Sequence, residues 1–218
     1  SRAGLRAAET LRDRGFDGEL TLIGEEPHRP YDRPPLSKQV LQGTWEPEQT
    51  FFRKKDGYDA LALDMRLGVR ATSVDLRARR VTLAGGTFAD YDRLIIATGA
   101  RVRTLSGIAP RAGLLVLRGL DDAIALRRAL MDAPRVAIVG AGFIGLEVAA
   151  SCRARGLPVT VIESLPVPLS PSLGPTFCDM VAAMHRDHGV DLRTGVAVTD
   201  IFGESRVAGV ALSDGSRI

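Results

Sequence analysis

The stretch Arg135–Glu163, RVAIVGAGFIGLEVAASCRARGLPVTVIE, constrains this chain more than any other. Val136–Val139 is a short run of valine, alanine and isoleucine, the pattern of a buried parallel strand rather than an amphipathic one. Gly140, Gly142 and Gly145 follow at once in the spacing G-x-G-x-x-G, with Phe143 and Ile144 inside the turn. In that spacing the first glycine allows a tight turn, the second lets a pyrophosphate approach the backbone, and the third lets the next helix pack closely on the strand. Phosphates then sit on unpaired N–H groups at the helix N-terminus. Val159–Ile162 makes a second strand, and Glu163 ends it 18 residues beyond Gly145, where a carboxylate can accept both ribose hydroxyls of an adenosine. The glycines by themselves say little; strand, glycines, helix, strand and terminal acid together specify a dinucleotide site. Its cofactor atoms would meet Gly140, Gly142, Phe143, Ile144, Gly145 and Glu163.

The first residues repeat half of this pattern. Leu5, Ala8 and Leu11 recur at helical spacing between charges, Gly15 closes that helix, and Leu20–Ile23 is a strand tipped by Glu25 and Glu26. Residues 1–26 therefore read as a β-α-β unit without its first strand. Gly4, 21 residues before Glu25, is read as the last glycine of a first fingerprint, with Glu25 as its ribose acid. Two nucleotide units in 218 residues agree with a length that suits two modest domains. With 45% apolar and 25% charged residues the composition is that of a globular protein, and the longest apolar runs are strand-length, so no membrane association is expected. A net charge of +3, scattered rather than striped, does not suggest nucleic acid. Cys152 and Cys178 lie far apart without C-x-x-C spacing and are read as buried thiols of a cytoplasmic protein.

Three further stretches carry information. His28–Lys38, HRPYDRPPLSK, holds three prolines that delay any helix until after Pro35, with Leu36–Leu41 helical thereafter. Tyr91–Ala100, YDRLIIATGA, leads through an expected buried strand at Leu94–Ala97 to Thr98 and Gly99 at its carboxyl end, where ligands sit in open α/β sheets. Residues 100–113 read as a linker. Elsewhere the spacing predicts a helix over Asp56–Met65, a strand at Arg66–Val69, a hairpin of Ala71–Leu76 with Arg80–Leu83, and a strand at Leu114–Leu117. A helix capped by Asp121 runs to about Met131, and Thr176–His188 is a second one. Val190–Arg193 is a strand, and Val196–Ile201 pairs with Val207–Leu212. His185 and His188 could suggest a metal, but no third ligand is evident and the pair is read as solvent-facing.

PYDRPPLSK, YDRLIIATGA and GAGFIGLE, in that order, resemble the FAD-dependent pyridine-nucleotide oxidoreductases, and within them the ferredoxin reductases of the putidaredoxin and rubredoxin reductase type. The resemblance implies an α/β fold of two Rossmann-like dinucleotide-binding domains, one for FAD and one for NAD, with the NAD domain inserted in the FAD domain. Residues 1–107 would be part of the FAD-binding domain and residues 108–218 part of the NAD(P)H-binding domain, within a longer protein that continues beyond both ends. It implies FAD contacts at Gly4, Glu25, Arg33, Lys38, Ala71, Ala97, Thr98, Gly99 and Arg118. Lys38 would lie beside the flavin's reactive edge with Glu147 as its ionic partner, the two counted as catalytic. From the residues alone Lys38 could equally be a surface lysine, and Leu146 and Val148 flank Glu147 without deciding its face.

The implied activity is hydride transfer from NADH to FAD, followed by single-electron transfer to a ferredoxin or rubredoxin-like iron–sulfur protein serving an oxygenase. No cysteine precedes Cys152, so electrons would leave without passing through a thiol. NADH is expected over NADPH because Glu163 repels a 2′-phosphate, unless Arg153 or Arg155 folds back to offset it. Arg101, Arg103 and Arg111 would suit an acidic partner. The other reading is a binding protein resembling apoptosis-inducing factor, responsive to NADH but acting by association.

Overall fold

The computed structural model describes residues 2–53, 55–105, 107–170 and 172–218. Ser1, which the sequence pattern counted with the first helix, Lys54, Ser106 in the expected linker and Pro171 in the proline-rich loop lie outside the described residues. In chain order the first elements are α1 (Arg2–Asp13), β1 (Leu20–Gly24), α2 (Gln39–Gln42), α3 (Lys55–Asp59), β2 (Leu63–Leu67), β3 (Ala71–Asp75), β4 (Arg80–Leu83) and β5 (Phe88–Asp90). They are followed by α4 (Leu120–Ala129), β6 (Val136–Val139), α5 (Phe143–Ala154), β7 (Val159–Glu163), α6 (Pro175–Asp187), β8 (Val190–Thr194), β9 (Val198–Phe202) and β10 (Gly209–Leu212). The α/β class is as expected. Two compact units divide the chain, one of Ser1–Asp32 with Glu48–Arg101 and one of Arg33–Pro47 with Val102–Ile218. The segment 33–47 thus groups with the later residues, and the later boundary falls at 101/102 beside the expected 107/108.

In the first unit the spacing of Leu5 and Ala8 turns one face of α1 inward, and Glu9 is buried with them at 6% exposure. A buried carboxylate needs compensation. Arg53 Nε and Arg6 Nη1 each donate to it at 2.7 Å. Leu5 packs with the buried Tyr58 and Leu61, and Tyr58 donates its hydroxyl to the Pro30 carbonyl at 2.6 Å. β1 pairs in parallel with β2, Leu20 opposite Leu63. The helix expected over Asp56–Met65 is therefore corrected: only Lys55–Asp59 is helical, Ala62 turns the chain at φ +46°, and Leu63, Met65 and Leu67 alternate inward as a strand. The edge of β1 decided between two local patterns. β3, β4 and β5 form the expected antiparallel hairpin and its extension. Leu94–Ala97 is not a strand, and Ile95 and Ile96 are 60% and 72% exposed. An apolar run becomes a central strand only where neighbours take up its backbone groups and layers cover its faces.

The second unit is built on the parallel sheet β6-β7-β8. Leu146, Val148, Ala149 and Cys152 of α5 and Cys178 and Ala182 of α6 close over Val159, Val161, Val190 and Leu192. Each of these valines and leucines contributes about 1.5–3 kcal/mol when fully removed from water. Both thiols are buried and free, and burial pushes Cys152 up to about 11, which keeps it unreactive. β6 is half-buried on the face of Val136 and Ile138 and open on the other, where Val139 remains 43% exposed, a correction to its reading as a buried strand. β9 and β10 pair antiparallel over a second small core of Ile162, Ile201, Val210 and Leu212. Leu114–Leu117 is not a strand either: Leu114 and Leu117 pack into different cores while Leu115 and Val116 point outward, which period two cannot give. His185 is buried at 7% and His188 exposed, so the solvent-facing pair is also corrected; burial and the neighbouring His188 hold the His185 imidazole below its ordinary value. Among the described residues there is no cluster that could hold a metal ion, and no helix is long and apolar enough to cross a membrane.

Candidate dinucleotide site

The glycine turn between β6 and α5 shows a different constraint at each glycine. Gly140 has φ +102°, a conformation that L side chains rarely adopt. Gly142 is extended, and a Cβ built on it meets nothing within 4 Å, so the space in front of it is open. A Cβ on Gly145 would lie 2.1 Å from the Gly140 carbonyl oxygen, which fixes this position by close packing. Among the described residues no side chain caps α5, a helix of 12 residues, so its first N–H groups and the positive end of its dipole face that open space. Phe143 and Ile144 flank it, 55% and 50% exposed.

Glu163 ends β7 as expected, and its Oε2 accepts the Ala141 N–H at 2.8 Å while Oε1 accepts the Leu165 N–H at 2.9 Å. The carboxylate thus ties the glycine turn to the end of the neighbouring strand. Leu169 N–H, from the proline-rich loop, donates to the Ala141 carbonyl at 3.1 Å and grips the turn from the other side. Arg153 donates to the His188 and Leu157 carbonyls at 3.0 and 2.8 Å, and Arg155 to those of Leu41 and Leu130 at 2.9 and 3.3 Å. Neither is paired with Glu163 among the described residues.

One turn into α5, Glu147 meets Lys38. The Nζ to Oε2 distance is 2.8 Å, and the side chains are 38% and 39% exposed. The prolines explain how Lys38 is presented. Pro34–Ser37 forms a 3₁₀ turn, and α2 begins only at Gln39, so the helix expected over Leu36–Leu41 is broken at Lys38. Burial works to raise the Glu147 carboxyl, but hydrogen bonds from Lys38 and Ser37 and the Lys38 charge outweigh it, holding the group below its ordinary 4.5. Beside the pair, Arg33, Leu36, Ser37, Leu117, Arg118 and Ile144 line a small cleft. Arg33 donates to the Arg118 carbonyl. Arg118 N–H and Gly119 N–H in turn donate to Asp122 Oδ2 at 2.9 and 2.8 Å. The cap of α4 is therefore Gly119 with Asp122 reaching back, in place of the expected Asp121.

All 218 residues match the family model of the pyridine nucleotide-disulphide oxidoreductases. The chain belongs to this family. Among its relatives are rhodocoxin reductase of Rhodococcus erythropolis, 38% identical over 99% of this chain and 51% of that protein. Another is the ferredoxin–NAD(+) reductase component of the p-cumate 2,3-dioxygenase system of Pseudomonas putida, 40% identical over 99% of this chain and 53% of that one. The crystal structure of a ferredoxin reductase from Rhodopseudomonas palustris superposes with a TM-score of 0.94 at 38% identity, covering 99% of this chain and 54% of its own. The chain spans about half the length of the curated relatives it matches.

In this chain the residues present fit a dinucleotide: an open space at Gly142, an uncapped helix N-terminus and a carboxylate at the end of the next strand. The first unit holds the other expected contacts. Gly4 lies in the first turn of α1, and Glu25 follows the end of β1, exposed, with Arg70 Nη1 3.5 Å from its Oε1. Val69 N–H donates to the Gly24 carbonyl at 2.9 Å, which brings Arg70 and Ala71 beside that strand end. Thr98 and Gly99 are exposed in an irregular segment, and Ala97 is half-buried. Sequence reasoning missed Ser37, Ser151, Asp122 and Leu169 in the second unit. Ser37 alone carried a signal, as the neighbour of Lys38 in a proline-stiffened segment.

Proposed function

We propose that the whole protein is an NADH-dependent flavoprotein ferredoxin reductase, which takes hydride from NADH onto FAD and passes single electrons to a ferredoxin or rubredoxin-like iron–sulfur protein serving an oxygenase. One observation carries the reading: α5 presents an uncapped N-terminus at the glycine turn and, one turn later, the carboxylate that holds Lys38 at 2.8 Å. The proposed phosphate cradle and the carboxylate that fixes the cation therefore share one helix, which would orient two cofactors against each other. Bound FAD supplies a ring that accepts two electrons at once and returns them singly. Gly140, Gly142, Phe143, Ile144 and Gly145 would cradle the NADH pyrophosphate, and Glu163 its adenosine ribose. Lys38, Arg33 and Arg118 would contact the flavin, with Gly4, Glu25, Ala71, Ala97, Thr98 and Gly99 serving the rest of FAD. The names of the relatives, a rhodocoxin reductase and the ferredoxin–NAD(+) reductase component of a dioxygenase system, favour turnover over an association-based role. Free buried Cys152 and Cys178 suit a reducing compartment, and under this reading the protein works in the cytoplasm. The test is reduction of an added ferredoxin by NADH with purified full-length protein; failure of every ferredoxin and rubredoxin tried, with the flavin still reduced, would sink the acceptor class.

Coenzyme choice follows from Glu163. Exchange of this carboxylate for arginine is expected to move the kcat/KM ratio toward NADPH by about tenfold, the value of one partly screened charge contact. Because Glu163 also holds the Ala141 N–H, Glu163→Gln serves as the control, loosening the NADH ribose contact without attracting a 2′-phosphate. An unchanged ratio in steady-state kinetics of Glu163→Arg would remove Glu163 as the discriminating residue.

A further inference from the structure

Ser37 is gripped from two sides by one helix face. Its Oγ donates to Glu147 Oε2 at 2.5 Å, the same oxygen that receives Lys38. Its carbonyl accepts the Ser151 hydroxyl at 2.6 Å. Glu147 and Ser151 are four residues apart on α5 and so lie on one face, one above the other. Ser37 and Ser151 are 4% and 1% exposed. Gln42 Nε2 donates to Ser151 Oγ at 3.2 Å, which leaves the single Ser151 proton for the Ser37 carbonyl. The Ser37 hydroxyl also has the Pro34 carbonyl within reach, at 3.4 Å, but the carboxylate is far nearer and charged, so the proton goes there.

We propose that Ser37 and Ser151 are positioning residues of the hydride-transfer site, the first orienting the Glu147 carboxylate and the second fixing the backbone from which Lys38 extends. The inference rests on the function proposed above. The physical case is geometric. A lysine side chain has four rotatable bonds, and an ion pair 38% and 39% exposed holds it only weakly. With the Ser37 donor on Oε2 and the Ser37 backbone locked by Ser151, the carboxylate and the root of Lys38 share one rigid frame, and the ammonium has one place to sit. Among the described residues the charge facing Glu147 is Lys38; Arg33 and Arg118 line the cleft beside Ser37, and Ser151 and Gln42 on the adjoining elements are neutral. The lowered Glu147 carboxyl has the sign this arrangement requires. Its pairing is fully present above 4.5, its value in the unfolded chain, and is lost as pH falls through the lower folded value.

The experiment uses the full-length protein in four forms: wild type, Ser37→Ala, Ser37→Thr and Ser151→Ala. Flavin reduction by NADH is followed by stopped flow across pH, and the Glu147 carboxyl by carbon NMR, assigned with Glu147→Gln. Ser37→Ala is expected to slow reduction about tenfold, the effect of one charge-assisted hydrogen bond, with NADH affinity within about twofold. The Glu147 titration should move up toward 4.5 and the acid limb of the rate with it, and Ser37→Thr should restore both. Ser151→Ala should slow reduction while leaving that titration in place. A Ser37→Ala protein with wild-type rate and wild-type Glu147 titration would overturn the proposal. If NADH does not reduce the wild type, the proposed function fails instead, and the NMR titration still decides whether the hydroxyl governs the carboxylate. Should Ser37→Ala misfold, Ser37→Cys, whose thiol is a far weaker donor, carries the same decision: a wild-type rate and a wild-type Glu147 titration in that variant would overturn the proposal.

Discussion

Lys38→Ala in the full-length protein is expected to slow flavin reduction by NADH about a hundredfold, a loss of about 2.7 kcal/mol in the barrier. Two effects add. The cation held 2.8 Å from Glu147 is gone, and the carboxylate, part-buried and deprived of its partner, is left with its negative charge uncompensated where the proposed function sets the cofactors. NADH affinity should change little, because the glycine turn and Glu163 do not depend on Lys38. Lys38→Arg should recover part of the rate, since the charge returns with a different shape. Rapid mixing with NADH reads the outcome directly, and a Lys38→Ala rate within twofold of wild type would remove the ion pair from the chemistry.

The second large effect separates the glycines. Gly145→Ala would set a Cβ 2.1 Å from the Gly140 carbonyl oxygen, 3.3 Å from its carbon and 3.4 Å from Ile138 Cγ2. These are backbone atoms and a β-branched side chain, with no flexible end to yield. The helix must lift off β6, at a cost of about 2–3 kcal/mol as for other overpacked sites. The melting temperature should fall by roughly 10 °C on the usual scaling for a unit of this size. Gly142→Ala meets nothing within 4 Å and keeps an ordinary φ of −78°, so stability should hold while NADH binding weakens by tenfold or more, because the methyl enters the space that the proposed function assigns to pyrophosphate. Thermal melts and NADH titrations of the two variants should show opposite patterns. Equal loss of stability in both would mean that the space in front of Gly142 is not a ligand site.

The glycine turn was legible because every requirement on it is local. A positive φ at Gly140, close approach at Gly145 and a carboxylate at the end of the next strand each leave a residue type at a fixed offset. The partnership of Lys38 with Glu147 was legible only through a resemblance, since 109 positions separate them and periodicity leaves the face of Glu147 open. Where local pattern failed, a long-range partner had decided. Leu63, Met65 and Leu67 could extend a helix or alternate in a strand, and the ladder with β1 selected the strand. Leu94–Ala97 and Leu114–Leu117 have strand composition but are not strands, because composition cannot supply neighbours. His185 and His188 share a helical spacing, yet packing buried one and exposed the other.

What the sequence determined by itself is therefore the local make-up of the turn: glycines where the backbone demands them and an acid at the end of the next strand. Tertiary structure decided what Glu163 and Ser37 hold. Glu163 grips the Ala141 N–H across the strand end, and Ser37 joins Lys38 on a single carboxylate oxygen while Ser151 fixes its backbone. Such contacts join residues more than twenty and more than a hundred positions apart, and hydrogen-bond direction exists only once the folded backbone has fixed where each donor points.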